Sequence, residues 1–214
     1  MKFFRRRKKQ KFDSGEYWRR RYEDKKTSGP GSYGRLAAYK ADIVNGILRD
    51  RGISSVIEFG CGDGNQAALF EIPNYTGVDI SPLVVENAKK TFADRPGWTF
   101  QVAGEGTVAD GAHDMSMSLD VIYHLIEDDV FETYMHNLVA AARRYVLVFA
   151  SDYEQTAKPK HVRHRHYSEW LAQNYPELKM VQEFEHPYPA SEGSDITETS
   201  FAHFKIFEKA NKPD

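Results

Sequence analysis

The stretch Val56-Ile57-Glu58-Phe59-Gly60-Cys61-Gly62-Asp63-Gly64-Asn65-Gln66 constrains this chain more than any other. Its apolar start reads as a buried strand, which breaks into glycine at 60, 62 and 64. Glycine reaches left-handed backbone angles closed to other residues and lets a ligand lie against the main chain with no Cβ in the way. A helix is expected over 65–70, then a strand, Tyr75-Thr76-Gly77-Val78, ending on the carboxylate of Asp79. Strand, glycine turn, helix and acid-tipped strand are the parts with which an open α/β sheet holds a nucleoside.

The turn restricts which nucleoside. A dinucleotide site spaces its glycines G-x-G-x-x-G so that a diphosphate meets a helix N-terminus, and here Asn65 stands in the third glycine's place. Glu58, just ahead of the turn, is set to repel a diphosphate and to organise polar groups around a cationic amino-acid ligand. A nicotinamide-dependent oxidoreductase and a purely structural turn stay as alternatives.

Five strands are expected at 55–59, 75–78, 98–102, 114–118 and 145–149, alternating with helices over 83–92 and 122–144. Ser81-Pro82 supplies an N-cap and a proline at the first helical position. This alternation argues a Rossmann-like, doubly wound parallel sheet. A helix near 168–174, a strand near 178–184, a loop from His186 to Ser200 and a strand at 201–207 complete it. Ahead of the sheet, Trp18 and Tyr22 share a face of a capped helix over 14–22, and apolar residues recur at helical spacing over 35–51. Between these helices, Ser28-Gly29-Pro30-Gly31-Ser32-Tyr33-Gly34 is too rich in glycine for regular structure and is a candidate lid.

With 214 residues, 41% hydrophobic and 28% charged, the chain fits one globular α/β domain with additions. The expected organisation is a basic flexible arm over 1–12, N-terminal helices and lid over 13–52, and the Rossmann-like domain over 53–209. The single cysteine, Cys61, excludes an internal disulfide and a cysteine zinc site and suits a reducing compartment, so a cytoplasmic location is expected. Lys2, Arg5, Arg6, Arg7, Lys8, Lys9 and Lys11 polarise a chain whose net charge is only -2. Such an arm is a solvated tail or, with Phe3 and Phe4, a peripheral contact to an acidic membrane surface. Nucleic acid is not expected, since the rest of the chain lacks a matching basic field.

The run Glu58-x-Gly60-x-Gly62-x-Gly64 with Asp79 resembles the first motifs of the class I S-adenosylmethionine-dependent methyltransferases. The resemblance implies about seven strands, mostly parallel, with one antiparallel strand in the edge region and an N-terminal helical lid. It implies that Asp79 accepts hydrogen bonds from both ribose hydroxyls of S-adenosylmethionine. Glu58, Gly60, Cys61, Gly62, Gly64, Ile80, Ser118, Trp18 and Arg21 join Asp79 in the implied cofactor set, and S-adenosylhomocysteine is the implied product. It also places Asp120, Tyr123 and His124, which follow the fourth strand, beside the methyl-bearing sulfur as candidate catalytic residues. The residues alone allow Asp120 to cap a helix and His124 to be a packing residue. One departure is the end of the third strand, where Val102-Ala103-Gly104 offers no acid for adenine until Glu105.

Tyr17-Trp18, Arg21-Tyr22 and Ser32-Tyr33-Gly34-Arg35-Leu36 are similar to small stand-alone bacterial methyltransferases associated with surface-glycan and secondary-metabolite pathways. The implied reaction is O-methylation of a sugar, glycan or small-molecule hydroxyl by in-line displacement, which Asp120 and His124 assist by positioning or deprotonating the acceptor. A non-catalytic cofactor-binding adaptor with a membrane-directed arm is the competing reading. Ser118-Leu119-Asp120-Val121 is not the N/D-P-P-Y segment of nucleic-acid amino methylation. A second cluster, His161, Arg163, His164, Arg165 and His166, is dense in donors and is a candidate substrate contact, with a solvated basic loop as its alternative. Its histidines lack a regular ligand set, so no metal is expected.

Overall fold

The computed structural model describes residues 12–104 and 109–210; the basic arm before Phe12, Glu105 and the last residues lie outside that description. In chain order the elements are α1 (Ser14–Glu23), α2 (Gly34–Arg51), β1 (Ser55–Phe59), β2 (Asn74–Asp79), α3 (Pro82–Thr91), β3 (Trp98–Val102), β4 (His113–Leu119) and α4 (Asp128–Ala141). They continue with β5 (Ala142–Ala150), β6 (Gln155–Thr156), β7 (Arg163–His164), α5 (Tyr167–Asn174), β8 (Leu178–Phe184) and β9 (His203–Lys209).

Seven strands form one sheet in the order β3-β2-β1-β4-β5-β9-β8, and β6 and β7 form a separate short hairpin. Pairing is parallel from β3 through β5, and β9 is antiparallel to both its neighbours. The expected Rossmann-like sheet with one antiparallel strand near its edge is therefore present. Strand order turns back at β1, which pairs with β2 on one side and β4 on the other. Such a switch point opens a crevice at the strands' carboxyl ends. Two apolar layers bury the sheet: Val44, Ile47, Val85 and Phe92 pack on one face, and Phe131, Met135, Leu138 and Leu171 on the other. With both faces covered, the inner strand β5 is buried continuously from Tyr145 to Ala150.

Four local expectations change. Residues 65–70 form only a 3-10 turn, Ala67–Leu69. Asn45 of α2 takes up the backbone there, donating to the Leu69 carbonyl at 3.1 Å and accepting from the Glu71 N–H at 2.9 Å, and Pro73 biases the residue before it away from helix. The helix expected over 122–144 splits into a 3-10 turn at Ile122–His124 and α4, which starts at Asp128. It stops at Ala141 because Ala142 already pairs with His113 in the sheet. The last strand begins at His203, not 201. Ser81 makes no side-chain cap on α3; Asp79 Oδ1 accepts its backbone N–H instead, at 2.9 Å.

Candidate active site

The glycine turn crosses the end of β1 with Gly60, Gly62 and Gly64 all left-handed, at φ 84°, 58° and 81°. A Cβ on Gly60 would lie 2.4 Å from Val121 Cγ2, and one on Gly62 2.2 Å from Ser28 Oγ. Glycine is thus required both for backbone angle and for space. The turn is tied to β2 from below: Gly60 and Cys61 both donate to the Val78 carbonyl, at 2.7 and 3.0 Å. Asp79 Oδ2 accepts the Gly62 N–H at 3.0 Å. Burial pushes the Asp79 carboxyl up to about 6, against the backbone donors at Ser81 and Gly62 that favour its charge. Cys61 is buried and its thiol is pushed far up by that burial, so it packs rather than reacts.

The floor at the ends of β1 and β4 is charged. Lys40, on α2 and 1% exposed, reaches Asp120 Oδ2 at 2.6 Å. The other carboxylate oxygen of Asp120 accepts from the Tyr123 hydroxyl at 2.7 Å. Asp120 itself is left-handed at φ 61°, rare for a residue with a Cβ. Glu58 is buried beside them and accepts from the Tyr75 hydroxyl. Burial raises its carboxyl to about 7, opposed by that hydrogen bond and by Lys40. Lys40 gave no motif, yet a signal existed: it falls at helical spacing among Leu36, Ala37, Val44 and Ile47, a cation inside an apolar stripe.

Above the floor lie α1 and the lid. Ser14, at the start of α1, donates from its N–H and hydroxyl to the two oxygens of Glu127, at 2.9 and 2.6 Å, which ties α1 to the approach of α4. Trp18 meets the His124 ring edge-on at 4.8 Å between centroids, and His161 lies stacked between Tyr17 and His124. His124 Nδ1 sits 2.7 Å from the His161 carbonyl, an acceptor only, so Nδ1 carries the proton and Nε2 the lone pair. Burial lowers the His124 pKa to about 4, so the ring is neutral near pH 7. The lid expected over 28–34 docks on the glycine turn: Asp63 Oδ2 accepts from the Ser28 N–H at 2.8 Å and the Tyr33 hydroxyl at 2.9 Å, while Ser28 Oγ accepts the Asp63 N–H at 2.8 Å.

These walls enclose a cavity of about 780 Å³ lined by Glu58, Gly60, Cys61, Gly62, Asp79, Ile80, Asp120, His124 and Trp18 among the expected residues, and also by Lys40, Gln66, Ser28 and Tyr22. Other expected site residues stand back from it. Ser118 is fully buried with the Tyr134 hydroxyl 2.7 Å from its Oγ, Gly64 packs on Phe92, and Tyr123 supports Asp120 from behind. Arg21 covers the Trp18 ring at 5.5 Å and donates to the Thr27 carbonyl.

The basic segment is largely used inside the fold. Arg163 and Arg165 converge on Asp128 Oδ1 at 2.8 and 2.7 Å, and Arg165 also donates to the Ile126 carbonyl at 2.9 Å. They hold the loop that delivers α4. Asp128, itself exposed, is the centre of that clamp. His164 is buried with Nδ1 2.7 Å from Ser151 Oγ, His166 is exposed at the start of α5, and only His161 reaches the aromatic wall. Among the described residues no group of three or more His, Cys, Asp or Glu is placed to hold a metal ion, and no helix is long and apolar enough to cross a membrane.

Residues 56–145 match the family model of a methyltransferase domain. The matched stretch is less than half of the chain. It contains the glycine turn, Asp79, Asp120 and His124, whereas Lys40, Trp18 and the Arg163–Arg165 clamp lie outside it. EEF1A lysine methyltransferase 4 of Mus musculus is 32% identical over 87 residues, a stretch that spans 38% of this chain and only 32% of that protein. Among solved structures, the 1,6-didemethyltoxoflavin-N1-methyltransferase of Burkholderia thailandensis superposes with a TM-score of 0.66 at 14% identity, covering 92% of this chain and 87% of that one. The N-methyltransferase NodS of Bradyrhizobium japonicum gives 0.64 at 15% identity, over 82% and 88%. Magnesium protoporphyrin IX methyltransferase of Synechocystis, solved with bound SAM, gives 0.62 at 15% identity, over 95% and 100%. At these identities the likeness is one of fold.

Proposed function

We propose that this chain is an S-adenosylmethionine-dependent methyltransferase acting on a hydroxyl of a sugar, glycan or small molecule. The observation that carries the cofactor reading is the Asp79 carboxylate, buried at the tip of β2 and lining the cavity directly against a turn of left-handed glycines. The lining suits the ligand's chemistry. Glu58, Asp79 and Asp120 face one lysine, a balance that favours a cationic sulfonium amino acid over a diphosphate. Gln66, also in the lining, holds a buried Oε1 with no partner among the described residues. Asp79 and the glycine turn would hold the ribose, Glu58 and Lys40 the amino-acid end, and Trp18 and His124 the acceptor side.

The bound cofactor supplies an electrophilic methyl group on a positively charged sulfur. The protein's part is alignment, most of what such a displacement needs. Asp120, with one oxygen on Lys40 and the other on Tyr123, positions the corner after β4 rather than taking a proton. His124 is the better placed acceptor, since its Nδ1–H is fixed on a carbonyl and Nε2 keeps a lone pair. A ring with a pKa near 4 orients the acceptor's O–H by hydrogen bonding, and the proton released as the oxygen is methylated would pass by way of Nε2 to solvent water. His161 extends the wall against which the acceptor lies. A cytoplasmic location, supported by the single cysteine, and a contact of the arm over 2–11 with an anionic membrane surface, supported by the arm's cations alone, belong to the same proposal.

A protein amine is a second acceptor class, supported by the match to a lysine methyltransferase over 87 residues. Calorimetry with S-adenosylhomocysteine and NADH, paired with transfer of labelled methyl to glycan, metabolite and protein fractions, tests the whole reading. Binding of the first ligand only, with label in a glycan or metabolite fraction, is expected. Preference for NADH removes the cofactor, label in protein alone removes the hydroxyl acceptor, and tight binding without transfer to any fraction favours the adaptor.

A further inference from the structure

Lys40 is the unexplained charge in the cavity. Its side chain is 2% exposed, yet its hydrogen bonds among the described residues go to one acceptor, Asp120 Oδ2 at 2.6 Å. An ammonium has three N–H donors. The Phe149 ring, 5.4 Å from Nζ, supports the charge but accepts no ordinary hydrogen bond. Donors left idle in a buried site carry a desolvation cost, which is recovered when an acceptor arrives. Lys40 also lines the cavity, so an acceptor can arrive from there.

The surroundings say what kind. Lys40 pairs with Asp120, and its charge also helps to keep the Glu58 carboxyl ionised against burial. One ammonium and two carboxyl groups lining the same cavity are the electrostatic complement of an α-amino acid, whose ammonium and carboxylate are neighbours. The arrangement is held tightly. Asp120 keeps its left-handed backbone, Tyr123 fixes its second oxygen, and a Cβ on Gly31 of the lid would lie 2.7 Å from Oδ2, so the lid closes directly over the pair. A strained, fully tied carboxylate persists where the surrounding structure over-determines it.

We propose that Lys40 donates to the α-carboxylate of the cofactor's amino-acid end and makes the protein reject nucleosides that lack this end. The inference rests on the proposed cofactor and assigns a discriminating role to a residue outside the matched domain. Calorimetry on the full chain with S-adenosylhomocysteine and with 5′-methylthioadenosine, which keeps the nucleoside and sulfur but has no amino-acid end, tests it without any acceptor. Lys40→Met is expected to weaken S-adenosylhomocysteine by about 10- to 100-fold, the range of a charge-assisted hydrogen bond, and to leave methylthioadenosine within about twofold. Because Lys40→Met strands a half-buried carboxylate, Lys40→Met with Asp120→Asn is measured beside it, each variant checked by its thermal transition. The same ligand-selective loss in the double variant supports the inference. An equal loss for both ligands, or unchanged S-adenosylhomocysteine affinity, overturns it and leaves Lys40 a structural partner of Asp120. A wild-type protein that binds neither ligand sinks the cofactor reading itself, a separate failure.

Discussion

The proposed nucleoside side and the proposed acceptor side of the cavity are built by different means. On the first, backbone does the work: left-handed glycines, paired N–H groups on the Val78 carbonyl, and one carboxylate that stitches the turn to β2. On the second, side chains from distant parts of the chain are assembled: Trp18 from α1 against His124, whose Nδ1 is held by the carbonyl of His161. A half built from backbone is expected to tolerate little change anywhere in the turn, while a half built from side chains can be re-cut residue by residue on the same sheet.

Asp79→Ala tests the contrast most severely. It strips acceptors from two backbone N–H groups and from the proposed ribose hydroxyls, so S-adenosylhomocysteine affinity should fall about 100-fold or more by calorimetry; a loss below tenfold breaks the contrast. Gly62→Ala meets a left-handed backbone and Ser28 Oγ at 2.2 Å. A stability loss of about 1–3 kcal/mol in urea titration is expected, the range for a strained residue. On the acceptor side, His124→Ala should lower turnover by about 10- to 100-fold, at the modest end of proton-transfer assistance, with S-adenosylhomocysteine affinity little changed. Loss of both together would mean that the two halves are not separable.

Arg165→Ala should cost about 1–2 kcal/mol of stability, chiefly through lost contacts to the Ile126 and Leu125 carbonyls. Asp128 is 70% exposed and its ion pair is weakened by water. Cofactor affinity should hold, and its loss would show that the clamp serves the nucleoside side too. The smallest effect is in pH. The Asp79 carboxyl is raised to about 6 from an ordinary 3.8, and hydroxyl donors favour its ionised form. Lowering pH from 7 to 5 should therefore weaken S-adenosylhomocysteine several-fold by proton linkage, and Asp79→Asn should flatten that dependence.

Legibility followed the same division. The strand–glycine–strand unit and the place of Asp79 could be read because each rests on local pattern: apolar runs, glycine spacing, an acid at a strand end; the antiparallel edge pairing is what the family resemblance implied. Ile122 to Arg144 reads as one helix because its apolar periodicity continues through 125. What breaks it is remote, since Arg165 pulls on the Leu125 and Ile126 carbonyls across about forty residues of chain. Arg163 and Arg165 do alternate to one side, as an extended segment requires, but nothing local announced that Asp128 would receive both. Lys40 was hidden for the same reason, its partner lying 80 residues away.

By itself the sequence determined where backbone had to turn left-handed and where a carboxylate would cap a buried strand, because steric limits and hydrophobic period act within a few residues. Only the tertiary structure decided which charges meet: Lys40 with Asp120, Arg165 with Asp128, Ser14 with Glu127. Ion pairs and tautomers depend on distance and burial in space, and spacing along the chain carries neither.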